Sequence, residues 1–255
     1  MAIPDTLAVR LINVVKDNSL GGDFLMLGRQ RWIGSRRKRS AALLEATIKE
    51  RFPDLTEGDF VHPANPYSER FFERLGFDHV DSMDISDFED ATIVHDLGDM
   101  VPKSLHKRFD VIYDGGTCEH VFDLPTAYRN IDRMLKPGGV LIGHSPCNNW
   151  INHGFYQITP EMVYGFWEKT LGYEVLECVL QPLLPVYANR SVTTTNPNET
   201  GVRPRLKGTL PDGPIILSYT VRKPLKAVRG GSQKVYQTDY QQRWSDSADP
   251  DVAAQ

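Results

Sequence analysis

The sequence predicts an α/β protein built on a doubly wound, mostly parallel sheet of seven strands, Rossmann-like, that closes with a C-terminal antiparallel hairpin. Residues 109–146 carry the first indication. They read as strand, polar turn, helix, Pro-Gly-Gly turn and strand, which is one βαβ unit. The second indication is a pair of extended segments, residues 173–180 and 214–221, with no helix between them. Such neighbours are expected to pair antiparallel.

Each remaining element follows from hydrophobic periodicity and from helix start and stop signals. Asn65 and Pro66 are typical of a helix start, and Gly76 is typical of a helix end. The predicted strands, besides the closing pair, are residues 23–27, 78–83, 91–94, 109–113 and 140–144. The predicted helices are residues 40–52, 66–75, 125–135 and 160–171.

The 255 residues fit one large domain with additions. We predict a domain over residues 1–224, with an insertion at about residues 29–63 and a long loop at 181–213. A loop of that length inside a compact domain is usually functional or mobile. Residues 225–255 form a polar tail that is either disordered or a docking arm, and the tail offers a route to an oligomer.

Composition restricts the class of protein. The formal charge of -4 gives no overall attraction to nucleic acid. The three cysteines form no C-x-x-C pair, so neither a disulfide framework nor a structural zinc site is indicated. The N-terminal segment lacks the features of a signal peptide, and no apolar run approaches the roughly 18 residues of a membrane span. A cytoplasmic location is expected.

Polar residues follow the predicted strands at the edge where open parallel sheets bind ligands. Gly28 follows the first strand and would let the backbone turn sharply toward a ligand. Asp84 ends the second strand, where a carboxylate can bind both hydroxyls of a ribose. Asp114 ends the fourth strand at the same edge. Acids at such positions also commonly cap turns.

The segment with Asp114, then Glu119 and His120, then Leu135 and residues 136–139 (Lys-Pro-Gly-Gly), resembles the second half of class I S-adenosylmethionine-dependent methyltransferases. The resemblance implies that S-adenosylmethionine is the cofactor. It also implies that an acid and an apolar residue contact the adenine, as Asp96 and Leu97 would, and that Asp114 lies near the methionine part. The implied donor-binding residues are Gly28, Asp84, Asp96, Leu97 and Asp114.

The first glycine motif departs from that family. The chain has only Gly28 and Gly34 where the family carries an acid and several closely spaced glycines. Asp84 also lies 56 positions after Gly28, against about 20 in the related dinucleotide fingerprint. An insertion over residues 29–63 would explain that distance, and a decayed donor pocket is the alternative.

Three histidines are candidates for a catalytic base, because an imidazole can take a proton from a hydroxyl group near neutral pH. His144 follows a strand, His153 lies in a polar segment, and His120 follows Glu119. Each of them also has a structural interpretation. The spacing of histidine, cysteine and acidic residues matches no standard metal-ligand pattern, so no metal is predicted.

Residues 153–161 resemble the acceptor loop of class I enzymes that act on sugars, which makes Tyr156 and Gln157 candidate substrate-binding residues, together with Trp32. The predicted function is O-methylation of a small molecule or a sugar or glycan precursor. The basic residues at 29–39 support an alternative, a catalytically inactive methyltransferase-like binding or adaptor protein, and leave nucleic acid open as a partner.

Overall fold

The computed structural model describes residues 2–32, 38–226 and 234–248. Its helices are α1 Asp5–Asp17, α2 Lys38–Arg51, α3 Glu69–Leu75, α4 Leu124–Met134, α5 Pro197–Thr200 and α6 Thr238–Ala248, with a π-helix at Met162–Thr170. Its strands are β1 Ala2–Ile3, β2 Gly22–Leu27, β3 Arg31–Trp32, β4 Phe77–Asp84, β5 Ile93–Val94, β6 Phe109–Asp114, β7 Leu135–Asn148, β8 Glu174–Pro182, β9 Val192–Thr193 and β10 Ile215–Arg222.

The predicted fold class is confirmed. The main sheet has the order β5-β4-β2-β6-β7-β10-β8-β9. It is parallel from β5 to β7 and antiparallel from β7 to β9. All seven predicted strands are present, and the two-residue strand β9 adds an eighth at one edge.

The order of the strands determines where a ligand binds. β2 lies between β4, which follows it in the chain, and β6, which comes later. From β2 the chain builds the sheet outward through β4 to β5, and it then crosses back to add β6 on the other side of β2. The direction of building reverses between β2 and β6, so their carboxyl ends form the switch point of the sheet. In open α/β sheets this crevice is the usual ligand site.

Helix α1 was not predicted from the sequence. It covers one face of the sheet, and nine of its 13 residues are buried. Its neighbour α2 buries Leu44 and Ile48 against the same core, as the predicted apolar face requires. The other face is covered by α4 and the π-helix, whose buried residues include Tyr128 and Trp167. Both faces of the parallel strands are thus covered, as expected for such sheets.

Three predicted elements differ in the structure, one in its boundary, one in its helix type and one in its turn geometry. Helix α3 begins after Ser68 rather than at Pro66, because Asn65 Oδ1 accepts from the backbone N–H of Tyr67 in a turn that precedes the helix. It ends at Gly76, whose φ of 111° confirms the predicted stop. The helix predicted at residues 160–171 is a π-helix. The Pro-Gly-Gly turn is an irregularity within the long strand β7, where Gly138 has φ 81°.

The basic stretch at 29–39 lies partly outside the described residues, which lack Arg36 and Arg37. Arg29 forms contacts within the fold: its guanidinium lies 2.6 Å from Glu69 and 4.1 Å from the centre of the Tyr67 ring. Lys38 and Arg39 begin helix α2 and are exposed. Gly34 also falls among the residues that are not described.

Helix α6 packs against the domain through buried polar contacts. The Thr238 backbone N–H and hydroxyl donate to the two carboxylate oxygens of Glu161, at 2.5 and 3.0 Å. Buried Asp239 accepts from Arg203 of the long loop at 2.7 Å. The helix therefore joins the segment after β7 to the loop between β8 and β10. Among the described helices, none is both long and apolar enough to cross a membrane.

Candidate active site at the carboxyl edge of the sheet

The chain segments that follow β2 and β6 are joined by hydrogen bonds at the switch point. The Thr117 hydroxyl donates to the Leu27 carbonyl at 2.7 Å, and buried Gln30 donates to the same oxygen at 3.0 Å. Gly28 has φ 64°, and a Cβ built there would lie 2.7 Å from Thr117 Oγ1. Only glycine fits both this backbone conformation and this contact.

Asp114 anchors the turn after β6. It is fully buried, and its Oδ1 accepts from the backbone N–H groups of Thr117, at 2.9 Å, and Cys118, at 3.3 Å. Burial raises the pKa of the Asp114 carboxyl, although these hydrogen bonds oppose the shift. Asp114 Oδ2 has no hydrogen-bond partner among the residues that the structure describes. Asp114 is not among the residues that line the adjacent cleft.

A cleft of about 540 Å³ lies beside this turn. It brings together three of the predicted donor-binding residues, Asp84, Asp96 and Leu97. Its lining is otherwise mainly apolar, and Ile85, Phe122 and Phe155 are largely exposed at it. The remaining lining residues are Met83, His95, Gly98, Thr117, His120, Val121 and Asp123.

The two carboxylates in the cleft are held by local turns. Asp84 Oδ1 accepts from the Ile85 backbone N–H at 2.7 Å, and Asp96 Oδ1 accepts from the Gly98 backbone N–H at 2.8 Å. Leu97 lines the same cleft and is 5% exposed. Its backbone is fixed by the buried Asn130 of α4, whose side-chain amide donates to the Leu97 carbonyl at 3.0 Å.

A buried acid and two histidines meet at the end of the cleft. Glu119 is fully buried, and its Oε1 lies 3.3 Å from His153 Nε2 and 3.9 Å from His120 Nε2. The two imidazole rings lie 4.9 Å apart between their centres. His120 also lines the cleft, so the cluster is continuous with it.

The segment after β7 wraps around Glu119. The Glu119 carbonyl accepts from the backbone N–H groups of Phe155, at 2.9 Å, and Tyr156, at 3.3 Å. Burial and the nearby Asp114 carboxylate both raise the pKa of Glu119. Burial, followed by the neighbouring His153, lowers the pKa of His120. Glu119 Oε2 is buried, and no described residue forms a hydrogen bond with it.

His144, the third candidate base, lies elsewhere. It is 1% exposed and faces helix α1: Arg10 of that helix donates to Ser218, the cross-strand partner of His144. Its Nδ1 lies 3.1 Å from the Tyr113 hydroxyl. Burial and Arg10 lower the pKa of His144 to about 3. This position does not support a role in removing a proton from an acceptor in the cleft.

The three predicted substrate-binding residues make contacts within the protein. The Tyr156 hydroxyl donates to the Phe122 carbonyl at 2.8 Å, and Gln157 Oε1 accepts from the Trp150 backbone N–H at 3.3 Å. Both contacts shape the segment beside the cleft. Trp32 packs on Phe71, with ring centres 5.0 Å apart, at the core on the α1 side of the sheet.

The sequence predictions did not include Glu119 or the apolar rim as site residues. Glu119 is 34 residues from His153, and only the irregular segment after β7 brings them together. Phe122 and Phe155 are exposed aromatics whose rings pack edge to face at 5.5 Å. Their sequence signal is an aromatic residue in each of the two segments that follow the predicted strands 109–113 and 140–144. Exposed aromatic residues of this kind often mark a binding surface.

Comparison with known proteins is consistent with this geometry. Residues 67–143 match the Methyltransferase domain family. That segment runs from α3 into β7 and contains Asp84, Asp96, Leu97, Glu119 and His120. No curated protein matches the sequence.

Solved structures with a similar chain course share little sequence with this protein. The N-methyltransferase NodS from Bradyrhizobium japonicum WM9, in complex with S-adenosyl-L-homocysteine, is 14% identical, with 85% of each chain covered and a TM-score of 0.43. The 1,6-didemethyltoxoflavin-N1-methyltransferase from Burkholderia thailandensis is 13% identical, covering 86% of this chain and 80% of its own, at 0.42. An S-adenosylmethionine-dependent methyltransferase from Mesorhizobium loti is 13% identical, covering 86% and 98%, at 0.44.

The Rossmann-like sheet, the cleft at its switch point and the Methyltransferase domain match over residues 67–143 support a class I S-adenosylmethionine-dependent methyltransferase. The matched domain indicates S-adenosylmethionine as the methyl donor.

The cleft suits the adenosine part of this donor. Leu97, Val121 and Phe122 give it the apolar walls that an adenine ring needs. Asp84 and Asp96 add carboxylate oxygens, which accept hydrogen bonds from ribose hydroxyls and from an exocyclic amine. The cleft therefore combines apolar walls and hydrogen-bond acceptors without a glycine-rich first motif in the sequence.

Proposed function

We propose that this enzyme transfers the methyl group of S-adenosylmethionine to an oxygen atom of a small molecule or of a sugar or glycan precursor. The observation that carries the proposal is His153, held against the buried Glu119 beside the donor cleft. A hydroxyl acceptor must lose its proton to become a strong nucleophile, whereas a neutral amine attacks through its lone pair. A positioned imidazole is the side chain most often used for that proton transfer.

In the proposed donor complex, each cleft residue contacts a different part of S-adenosylmethionine. Asp84 accepts hydrogen bonds from the ribose hydroxyls, as an acid at the end of the second strand does in related sheets. Asp96 accepts from the exocyclic amine of adenine, and Leu97 covers the ring. Gly28 and Asp114 act indirectly, by setting the backbone of the two crossing segments.

On the acceptor side, His153 is oriented by Glu119. When its Nε2–H donates to Glu119 Oε1, its Nδ1 carries no hydrogen and can accept the proton of the acceptor hydroxyl. His120 neighbours this pair at the cleft, and Tyr156 and Gln157 shape the segment that presents His153. S-adenosylmethionine supplies an electrophilic methyl group on its sulfonium.

The test is a comparison of acceptor classes. The purified enzyme is incubated with S-adenosylmethionine and, in parallel, with free sugars, nucleotide-linked sugars, phenols and matched primary amines. S-adenosylhomocysteine formation is measured, and the methylated atom is identified by mass spectrometry and NMR. We expect turnover with hydroxyl acceptors, and turnover confined to amines would refute the proposal.

Variants then test the base. His153→Ala should lower kcat about 10²- to 10⁴-fold, the usual contribution of a general base, while donor affinity stays unchanged. His106→Ala is the control, because His106 is exposed and is not among the residues of the cleft or of the Glu119 cluster.

A further inference from the structure

The cluster at Glu119 has the composition of a metal site. One ligand atom each from Glu119, His120 and His153 lies within 4.8 Å of the others. Two imidazoles and one carboxylate are a common ligand set for Zn²⁺ in enzymes that keep a fourth position open. They are also the ligands of non-haem Fe²⁺ sites.

Two of the three distances within the cluster are close to those of a tetrahedral site, and all three ligand atoms lie within 4.8 Å of one another. With metal–nitrogen and metal–oxygen bonds of about 2.1 Å, neighbouring ligand atoms lie about 3.4 Å apart. Glu119 Oε1 lies 3.3 Å from His153 Nε2 and 3.9 Å from His120 Nε2. The His120 side chain is 44% exposed, so its ring has room to close the longer gap.

A second observation points to a cation. Glu119 is fully buried, yet its Oε2 has no hydrogen-bond partner among the described residues. Leaving a buried carboxylate oxygen unpaired costs free energy, which a positive ion bound at that group would recover. Both histidines are neutral ligands in the form that binds a metal, so Glu119 supplies the one negative charge among the ligands and a divalent ion would leave the site with a net charge of +1.

We propose that Glu119, His120 and His153 bind one divalent transition-metal ion, Zn²⁺ or a first-row ion of similar size. Three protein ligands leave a fourth position open toward the cleft that His120 lines. With the ion bound, His153 Nε2 is a ligand. An acceptor hydroxyl in the open position would then have a lower pKa and would release its proton to solvent, in place of the transfer to His153 described for the metal-free enzyme. That last step rests on the proposed function, whereas binding of the ion does not.

Binding is tested on the enzyme alone. The protein, without a histidine tag, is stripped with a chelator, confirmed as folded by circular dichroism, and titrated with Zn²⁺ in a calorimeter and with Co²⁺ in a visible spectrometer. We expect one ion per chain and the absorption bands of four-coordinate Co²⁺. No binding of either ion to the folded protein would overturn the proposal, whatever the acceptor proves to be.

Three variants locate the site. His153→Ala and Glu119→Gln should each weaken binding at least tenfold, and His106→Ala should leave it unchanged. Glu119→Gln keeps the shape of the buried side chain, so it guards against a loss caused by misfolding. Unchanged affinity in both His153→Ala and Glu119→Gln would show that the ion binds elsewhere and would overturn the assignment.

Discussion

Gly154 lies directly against Glu119: a Cβ at position 154 would approach the Glu119 backbone oxygen to 2.9 Å and its Cγ to 3.1 Å. The missing side chain lets the segment after β7 close over the buried acid. His153, the adjacent residue, gains its place next to the Glu119 carboxylate through this contact.

Gly154→Ala should therefore move His153 away from Glu119. We expect a loss of methyl transfer comparable to that of His153→Ala. Donor affinity should fall much less, because Phe155 is the only lining residue in the displaced segment and Asp84, Asp96 and Leu97 lie outside it. Calorimetry with the donor and an activity assay separate the two effects. Gly21→Ala is the control, since a Cβ there meets only an ordinary contact at 3.5 Å. Full activity in Gly154→Ala would contradict the role given to this contact.

Asp84→Ala should weaken donor binding by roughly 1 to 3 kcal/mol, the scale of a lost hydrogen bond to a charged group. Titration with S-adenosylhomocysteine measures this without turnover. Asp87→Ala provides the comparison, because Asp87 is an exposed acid three residues away that does not line the cleft. Equal affinities for the two variants would remove Asp84 from the donor site.

Gly28→Ala should destabilise the fold and damage the donor site together. A left-handed backbone costs a non-glycine residue about 1 to 2 kcal/mol, and the new Cβ would also press on Thr117 Oγ1 at 2.7 Å. Urea unfolding measures the loss. Gly58→Ala should be close to neutral, since its nearest contact is 3.7 Å away. A Gly28→Ala protein as stable as the parent would show that the segments after β2 and β6 have room for a methyl group at this contact, contrary to the structure.

His144 should make the fold sensitive to acid. Its pKa is about 3 in the folded protein, against an ordinary value of 6.5, so the unfolded chain binds a proton first as pH falls. Stability is then lost on acidification from pH 6.5 toward 3, by at most about 1.4 kcal/mol per pH unit. Urea unfolding at pH 7 and pH 5 should show a loss smaller by about 2 kcal/mol in His144→Asn than in the parent.

His106→Asn is the control for that experiment, because it makes the same change of side chain at an exposed position. Parallel pH profiles for the parent and His144→Asn would mean that the imidazole is protonated in the folded state.

The sheet was predictable because each strand carries its own signal. Apolar, β-branched runs such as residues 109–113 mark strands that are covered on both faces. Helix α1 was not predicted because polar residues interrupt its apolar residues. Its burial also depends on a sheet that forms from the rest of the chain. The start of α3 was predicted wrongly because Asn65 does not cap the helix. Its side chain accepts a hydrogen bond from Tyr67 in a turn that precedes the actual N-cap, Ser68.

The donor cleft was more predictable than the cluster beside it. Asp84 follows a strand, and parallel strands place their ends at one edge, so its proximity to Asp96 follows from topology. The contact of Glu119 with His153 follows from no periodicity, because the segment between β7 and the π-helix has no regular structure. His144 shows the limit of the strand-end argument: it is near the right edge, but on the α1 side of the sheet.

Asn130 of helix α4 is fully buried, and its amide nitrogen donates to the carbonyls of Leu97 and Asp99, at 3.0 and 2.6 Å, while its Oδ1 accepts from the Val101 N–H at 3.2 Å. One side chain of α4 thus fixes the position of the Leu97 wall, against which the proposed donor would place its adenine. Redesign of the enzyme for donors with an enlarged nucleobase would begin at position 130, where a smaller residue would let the wall retreat while every donor-contacting side chain kept its identity.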